Sequence, residues 1–426
     1  MLDLKFIRDN PDAVRKAMRV KMMGGAEPKL DQLLVTDEEL RIVRRDLEEL
    51  QAERNASSKK VGELKRRGED DPALMAHLAT LSDDVKRLED RARSLQQSSD
   101  ALLLEIPNLP HESVPYGESE HDNVVVKEWG ERRTYDFAPR PHWELLEEKG
   151  WVQFEAGVKL AGAGFPVFRG QGARLVRALQ SYFLDRVGEA GFEEVAPPLL
   201  VNATSATATG QLPDKEGQMY EVTGGLYLIP TSEVALTNLH RDEIIDETHL
   251  PIRYAAFTAC FRREAGSHGK DVRGLNRVHQ FDKVEMVQFC APADSYEALE
   301  DMTRLSESLL EELGLPYRKL LMCTGDLGFT QAKKYDLEVW AAGQERWLEV
   351  SSISNIEAFQ ANRLKTRARP GGAAGKGKPG SVHTLNGSAL AFPRTIAALI
   401  ENGQNADGSV TLPQVLGPYL GATTLR

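Results

Sequence analysis

Two stretches near the N-terminus carry apolar residues at alternating three- and four-residue spacing. The first stretch covers residues 37–66 and the second covers 74–106, and the segment between them, GEDDP at 68–72, is a turn signal. Such a stripe buries one side of a helix against another helix, and one short turn makes the two helices antiparallel. We therefore expect a long antiparallel helical hairpin, in which thirty residues span about 45 Å.

The far end of this hairpin is basic. Residues 54–67 hold six Lys or Arg residues against Glu63 alone. Clustered cations of this kind contact nucleic-acid phosphates, but they also occur on solvated faces, and a hairpin can serve dimerisation or packing instead. Both interpretations stay open, and the candidate RNA-binding residues are Lys59, Lys60, Lys65, Arg66 and Arg67.

A proline-rich segment without periodicity, residues 106–117, separates the hairpin from the rest of the chain. We predict an N-terminal domain over 1–110, with its arm at about 37–105, and a second domain over 111–426. In the second domain, helical patterns such as 172–190 and 294–313 alternate with short β-rich runs. This pattern favours an α+β domain in which helices flank an antiparallel sheet.

Charge and cysteine content limit the cellular setting. The net charge is −11, which does not exclude RNA binding because local basic patches decide it. No signal peptide and no apolar stretch of membrane-spanning length are visible, so we expect no membrane partner. The three cysteines are far apart in the sequence and match no metal-ligand spacing, which is typical of a cytoplasmic protein.

One glycine-rich segment resembles a phosphate loop. Residues 372–379 read GAAGKGKP, but Pro379 stands where the loop needs Ser or Thr for magnesium. We see no strand before the segment and no helix directly after it. We therefore interpret it as a basic loop that does not bind nucleotide phosphates.

A basic pair of segments has the chemistry of a nucleotide site. FRRE at 261–264 and RVHQF at 277–281 would form two strands joined by a long loop. Arg262 and Arg277 can then bind polyphosphate, while Glu264 accepts from an adenine amino group and Phe281 stacks on the ring. A charged surface hairpin is the alternative.

Two later segments add a carboxylate and a misplaced cation. In EVSS at 349–352, Glu349 and a hydroxyl can ligate Mg²⁺; regular alternation would put Ser351 on the face of Glu349 and turn Ser352 away. In the segment 385–394, Arg394 lies near the start of a helix, where the helix dipole disfavours a cation. That position favours a ligand-binding role for Arg394.

Taken together, these segments resemble motifs one, two and three of class II aminoacyl-tRNA synthetases, and specifically the bacterial-type seryl-tRNA synthetase family. Motif one would be GFEEVAPPLLV at 191–201. The departures from the family pattern are Ile353, where many members carry cysteine, and Gly224-Gly225. The other matching segments are IPTSE at 229–233, FRREAG at 261–266, RGLNRVHQFDKVEM at 273–286, EVSSISN at 349–355 and HTLNGSALAFPR at 383–394.

The resemblance implies a class II catalytic domain that acts as a homodimer through Pro197 and Pro198. The reaction would activate L-serine with ATP and Mg²⁺ and load tRNA(Ser), together with tRNA(Sec). Arg262 and Arg394 would be catalytic, and Glu349 and Ser352 would ligate the metal. The implied ATP-binding residues are Arg262, Arg263, Glu264, Arg277, Val278, Phe281, Glu349, Val350, Ser351, Ser352 and Arg394. The implied serine-binding residues are Thr231, Ser232, Glu233, Arg262, Glu285, Asn386 and Ser388.

Two other functions remain as alternatives. An amino-acid:carrier-protein ligase would share the catalytic domain but lack the arm, and a catalytically dead paralogue would have lost Arg262, Glu264, Glu349 or Arg394. At one position the alternative is local: Glu285, expected to bind the serine hydroxyl, would instead be a surface carboxylate paired with Lys283.

Overall fold

The computed structural model describes residues 1–214, 217–264 and 273–426. It divides into two compact units. One consists of Met1–Arg19 and Met23–Pro107, and the other of Val20–Met22 and Asn108–Arg426. We describe each unit by itself.

The first unit is helical and contains the predicted hairpin. Its helices are α1 (Leu4–Asp9), α2 (Pro11–Val20), α3 (Glu27–Arg66) and α4 (Pro72–Leu103). The prediction of two long antiparallel helices is confirmed. However, α3 begins at Glu27 and not near residue 37, because the buried Leu30 and Leu33 extend the apolar stripe backward and Pro28 occupies the first turn.

The turn between α3 and α4 follows from its residues. Gly68 has a φ of +73°, a conformation that glycine adopts without steric cost. The carboxylate of Asp71 accepts hydrogen bonds from the backbone N–H groups of Ala73 and Leu74 and so caps α4. Along the hairpin, Leu40 and Leu95 are buried between the two helices.

The second unit has an α+β architecture. Its helices are α5 (His142–Glu148), α6 (Phe154–Ala161), α7 (Gln171–Glu189), α8 (Ala203–Thr209), α9 (Glu233–Thr237), α10 (Ser295–Glu312), α11 (Ala358–Leu364), α12 (Phe392–Gly403) and α13 (Gly417–Leu420). Its strands are β1 (Val124–Trp129), β2 (Val152–Gln153), β3 (Val167–Phe168), β4 (Glu193–Glu194), β5 (Leu200–Asn202), β6 (Glu221–Val222), β7 (Leu226–Leu228), β8 (Ile244–Asp246), β9 (Ile252–Phe261), β10 (Gln280–Cys290), β11 (Tyr317–Leu321), β12 (Lys333–Ala341), β13 (Arg346–Glu357), β14 (Arg367–Arg369), β15 (His383–Ala391), β16 (Val410–Thr411) and β17 (Thr424–Leu425).

The main sheet has eight strands in the order β1-β11-β12-β13-β15-β10-β9-β4. Every neighbouring pair is antiparallel except β4 and β9, which are parallel. The predicted antiparallel sheet with flanking helices is therefore confirmed, and its parallel edge strand makes it a mixed sheet. The parallel pair is possible because the long connection between β4 and β9, residues 195–251, returns the chain to the end of the sheet where β4 began.

The two faces of the sheet have different characters in its centre. On one face, α7, α10 and α12 cover an apolar core that includes Met286, Ile353 and Leu385. Side chains alternate along a strand, so the neighbouring Glu285 and Asn386 project from the opposite face. That face carries the polar side chains of the candidate site.

Candidate active site

A cavity of about 240 Å³ opens on the polar face of β10, β13 and β15. Its wall contains all the residues predicted for ATP and serine except Arg263 and Ser232. Ser232 is fully buried, and its hydroxyl makes no hydrogen bond within the described chain. The structure therefore brings motifs two and three together, while the roles of Arg263 and Ser232 stay predictions without a place on the cavity wall.

Glu285 lies at the closed end of the cavity with no exposed surface. Its carboxylate accepts a hydrogen bond of 3.0 Å from Asn386 Nδ2 and one of 3.0 Å from Ser388 Oγ. Lys283 Nζ lies 2.5 Å from Glu285 Oε2, the same oxygen that accepts from Ser388. The alternative interpretation was right about the lysine and wrong about the surface, because the pair is buried in the cavity wall.

Glu233, the first residue of α9, supplies a second carboxylate beside Glu285. It accepts hydrogen bonds from Gln360 Nε2 at 2.7 Å and from Asn386 Nδ2 at 3.2 Å. Burial, and next the like charge of Glu285, raise the pKa of Glu233 to about 7. Glu233 and Glu285 share the amide donor of Asn386, and their combined negative charge favours binding of a positive group such as an ammonium.

Thr231 lies between Glu233 and Lys283. Its hydroxyl accepts from Lys283 Nζ at 3.1 Å and from the backbone N–H of Glu233 at 3.3 Å. Thr231 is only 5% exposed, so its hydroxyl has a fixed position at the cavity wall. This end of the cavity is small, polar and charged, which suits a small zwitterion.

Motif two forms the adjacent wall. The guanidinium of Arg262 lies 5.2 Å from the ring centre of Phe281, and its Nε donates to Pro230 O at 3.4 Å. Glu264 forms an ion pair with Arg277, so the two groups predicted for ATP lie in contact on this wall. Residues 265–272, which include Ala265 and Gly266 of the FRREAG match, lie outside the described residues.

A bulge in β13 determines which hydroxyl lies on the same face of the strand as Glu349. Leu337 pairs with Ser351 and Glu338 pairs with Glu349, so Val350 has no partner across the strand pair. The extra residue shifts the alternation, and Glu349 falls in phase with Ser352 and Ser354. The expectation from regular alternation, Glu349 with Ser351, is therefore wrong: the hydroxyl of Ser351 turns away and donates to Ser388 O.

The electrostatics of this wall favour an ionised Glu349. Enclosure by the cavity raises the pKa of Glu349, but Arg394 and Lys334 outweigh it and hold that pKa below its ordinary value. The side chain of Glu349 is still 48% exposed, so its oxygens are accessible. Asp336, directly opposite Ser352 on β12, is 5% exposed and has one oxygen without a hydrogen-bond partner in the described chain.

These groups fit a magnesium ion by donor chemistry. Glu349 and Ser352 offer only oxygen atoms, and Mg²⁺ in nucleotide sites takes one or two protein oxygens and completes its octahedron with phosphate and water. No cluster of three or more His, Cys, Asp or Glu residues suited to a metal occurs within residues 1–214, 217–264 and 273–426. Glu349 and Ser352 therefore suit an ion that shares its coordination with a bound nucleotide.

Arg394 is the third residue of α12, as the sequence predicted. Its Nε donates to Asn276 O at 2.9 Å and its Nη1 donates to Glu349 O at 2.8 Å. These two backbone contacts join motif two to motif three and hold a cation where the helix dipole disfavours one. The guanidinium remains on the cavity wall.

Several lining residues escaped sequence reasoning as site residues. The sequence suggested Lys283 only as a surface partner of Glu285. However, alternation along the strand puts Lys283 on the same face as Glu285, which was a usable signal that both line the site. The others lie outside the matched motifs or inside them without a distinctive side chain: Gln211, Leu275, Asn276, Gln331, Ser354, Ala391 and Pro393.

The basic end of the hairpin is exposed. Lys59, Lys60, Lys65 and Arg66 lie in the last two turns of α3, and Arg67 is the residue that follows the helix. All five side chains face solvent. Among the residues that the structure describes, none of them makes an ion pair, so their charge is available to a partner.

The glycine-rich segment at 372–379 is not a phosphate loop. A short strand, β14, does precede it, contrary to expectation, but no helix follows. The guanidinium of Arg369 is bound by backbone carbonyls of this segment: it donates to Gly372 O at 2.7 Å and to Gly377 O at 3.0 Å. A phosphate loop directs N–H groups inward, whereas this loop directs carbonyl oxygens toward a cation.

Comparison with protein families matches both parts of the chain. Residues 1–110 match the seryl-tRNA synthetase N-terminal domain. Residues 220–403 match the tRNA synthetase class II core domain of the G, H, P, S and T group. No helix in the described part of the chain is long and apolar enough to cross a membrane.

Relatives align over nearly the whole chain. The serine–tRNA ligase of Salinibacter ruber is 51% identical over 424 residues, which cover 99% of this chain and 98% of that protein. The serine–tRNA ligase of Caldanaerobacter subterraneus subsp. tengcongensis is 50% identical over 428 residues, with 100% and 99% covered. The crystal structure of seryl-tRNA synthetase from Pyrococcus horikoshii complexed with ATP is similar at a TM-score of 0.93 and 37% identity, covering 100% of this chain and 99% of that one.

Proposed function

This chain belongs to the seryl-tRNA synthetase family of class II aminoacyl-tRNA ligases, and we propose that it activates L-serine with ATP and transfers the seryl group to the 3′ end of tRNA(Ser). The observation that carries the choice of serine is the buried Glu285, held by Asn386 and Ser388 at the closed end of the cavity. A carboxylate there accepts a hydrogen bond from a hydroxyl group. Transfer to tRNA(Sec) is part of the same proposal.

In the first step, an oxygen of the serine carboxylate attacks the α-phosphorus of ATP, and the bond to the β-phosphate oxygen breaks to release pyrophosphate. The carboxylate is already a nucleophile, so the step needs no general base. Arg262 and Arg394, both on the cavity wall, would align the reactants and offset the charge that develops on phosphorus. Glu264 and Phe281 would hold the adenine, and Arg277 the terminal phosphates.

Mg²⁺, bound with ATP, would be held by Glu349 and Ser352 and would neutralise phosphate charge. This assignment is supported by the oxygen-only donors, by the β13 bulge that puts both residues in phase, and by the cations that keep Glu349 ionised. Asp336, opposite Ser352 on β12, is a further carboxyl group beside this site, and burial raises its pKa to about 7.

In the second step, a ribose hydroxyl of the terminal tRNA adenosine attacks the seryl carbonyl carbon, and AMP leaves. Residues 1–110 would form the tRNA-binding domain and 111–426 the catalytic domain. A homodimer through motif one is part of the proposal, supported by the exposed apolar side chains of Leu199 and Leu200, which follow the edge strand β4 in the chain.

The Michaelis constant for serine is expected to rise as the pH falls below about 7, the pKa of Glu233. Below that pH the carboxyl is neutral and binds the serine ammonium weakly, so the constant should approach a rise of about tenfold per pH unit. Initial rates of pyrophosphate exchange, measured from about pH 5.5 to about pH 8.5, would give this constant over about one unit or more on each side of the pKa. Glu233→Gln should bind serine weakly at every pH, and a wild-type profile that is flat would contradict the role of Glu233.

Neutralising the hairpin end with Lys65→Gln, Arg66→Gln and Arg67→Gln is expected to weaken tRNA binding and flatten its salt dependence. Each lost phosphate contact removes about 0.7–0.9 of a unit from the slope of log K against log salt concentration. Filter binding of tRNA(Ser) at several salt concentrations would measure that slope. Serine-dependent pyrophosphate exchange should stay at the wild-type rate.

A matched control removes the same charge elsewhere on the hairpin. Arg45, Arg87 and Arg93 are paired with Asp46, Asp84 and Asp90, so their replacement by glutamine should change the slope less. Equal slopes for the wild type and the variant at 65–67 would show that this end does not contact RNA.

The experiment that tests the whole function is aminoacylation. The purified chain, ATP, Mg²⁺ and labelled serine should load purified tRNA(Ser) at its 3′ end, and periodate oxidation of the terminal ribose should prevent loading. Loading of a carrier protein with serine, but not of tRNA, would favour the carrier-protein ligase. That alternative lacks an arm, whereas α3 and α4 form one here.

A further inference from the structure

Two fully buried ionisable side chains lie behind motif two without contacting the cavity. His142 is the first residue of α5 and Glu401 belongs to α12, and both side chains have no exposed surface. The Glu401 carboxylate is 2.7 Å from His142 Nδ1. Burying such a pair is costly unless its hydrogen-bonding capacity is filled, so its partners indicate what it holds.

Every partner of Glu401 is a donor. One carboxylate oxygen accepts from the backbone N–H of His142 at 2.9 Å and from Gln344 Nε2 at 2.8 Å. The other oxygen accepts from the backbone N–H groups of Gly343 and Gln344 at 2.9 and 3.2 Å. This arrangement fits an ionised carboxylate, because a protonated or amidated group would direct a donor at one of these donors.

The opposite nitrogen of His142 reaches motif two. His142 Nε2 lies 2.9 Å from the backbone N–H of Leu275 and accepts its hydrogen bond. Since Nε2 is the acceptor, Nδ1 carries the proton and donates to Glu401. Gly274 packs directly on this ring, where a Cβ would stand 2.4 Å from Nε2.

A second connection runs through Gln344. Its Oε1 accepts from Asn276 Nδ2 at 2.7 Å, while its Nε2 donates to Glu401. The next residues along the chain are Arg277 and Val278, which line the cavity. Glu401 therefore fixes the two consecutive residues that precede Arg277. It holds Leu275 through His142, and it holds Asn276 through Gln344.

Helix α12 also contacts this segment directly, through Arg394. Arg394 Nε donates to Asn276 O at 2.9 Å, and Arg394 precedes Glu401 by seven residues, about two helical turns, on one face of α12. The segment 275–277 is thus fixed to α12 at two points. One point is a candidate catalytic side chain, and the other is the buried pair.

We propose that His142 and Glu401 are positioning residues for the ATP site: through Leu275, Gln344 and Asn276 they hold the segment that carries Arg277 in register with Arg394. Neither side chain reaches the cavity, so neither acts on the reacting atoms. The serine end of the cavity lies around α9, β10 and β15, and among the described residues it receives no hydrogen bond from this pair. This inference rests on the proposed function.

Glu401→Gln tests the proposal in the full chain, because the substitution keeps the shape of the side chain but directs an amide N–H₂ at a donor. The Michaelis constant for ATP in serine-dependent pyrophosphate exchange should rise by about tenfold or more, the effect of a misplaced phosphate ligand. The Michaelis constant for serine should stay within about twofold of the wild type. Gln344→Met, which breaks the second connection at a partly exposed site, should raise the ATP constant in the same selective way.

Tyr182→Phe is the matched control. It removes a hydrogen bond of 3.0 Å between the buried Tyr182 and Glu312, on the helices behind the sheet, and should leave both constants unchanged. Unchanged ATP constants in Glu401→Gln and Gln344→Met, or a parallel rise for ATP and serine, would overturn the proposal. A wild-type chain without serine-dependent exchange would instead overturn the proposed function.

Discussion

Replacing Glu285 with alanine is expected to abolish the preference for serine over alanine. The two substrates differ by one hydroxyl, and an apolar pocket separates such pairs poorly. A site that hydrogen-bonds the hydroxyl can reject alanine by about 10⁴-fold, because alanine leaves buried polar groups unpaired. Without the Glu285 carboxylate, Ser388 loses its acceptor and Asn386 keeps only the one on Glu233, and the substrate hydroxyl has no carboxylate to donate to.

The measurement is the ratio of kcat/KM for serine and alanine in pyrophosphate exchange. For Glu285→Ala we expect kcat/KM for serine to fall by about 10³-fold or more while that for alanine changes little. Because the substitution also leaves Lys283 without its carboxylate, Glu285→Gln is the control: it keeps an acceptor oxygen and should retain part of the preference. An equal loss for both amino acids would mean that Glu285 supports the fold of the site and does not read the hydroxyl.

Replacing Arg262 with alanine is expected to lower kcat for serine-dependent exchange by about 10²–10³-fold, the usual cost of removing one preorganised group that offsets transition-state charge. Arg262 lies on the cavity wall, and its guanidinium lies 5.2 Å from the ring centre of Phe281. The adjacent Arg263 has the same charge but no place on that wall, so Arg263→Ala should lose far less activity. A similar loss in both variants would show that overall charge, and not the position of Arg262, matters.

Much of the architecture could be predicted because it depends on local patterns. The heptad stripes and the turn at 68–72 were sufficient for the hairpin, although the start of α3 was missed since Leu30 and Leu33 lie before the charged heptads. β15 was harder to predict, because Gly387 has little strand propensity. Its glycine is required by a neighbouring strand: a Cβ there would stand 2.9 Å from Ile353.

The sequence motifs predicted which residues form the site better than strand periodicity predicted how their side chains are oriented. The order of the motifs indicated which residues meet, but a single inserted residue, Val350, decided that Ser352 and not Ser351 lies on the strand face of Glu349. No periodicity rule foresees a bulge. Likewise, the burial of Lys283 with Glu285 depends on the strands on either side of β10, which the sequence of β10 alone does not specify.

The most direct measurement of the central claim is amino-acid-dependent ATP–pyrophosphate exchange by the purified chain with Mg²⁺ and without tRNA. Serine should drive exchange with a kcat/KM about 10³-fold or more above alanine, and proline should give none. Exchange driven equally by alanine, or no serine-dependent exchange at any magnesium concentration, would contradict the assignment of this cavity to seryl-adenylate formation.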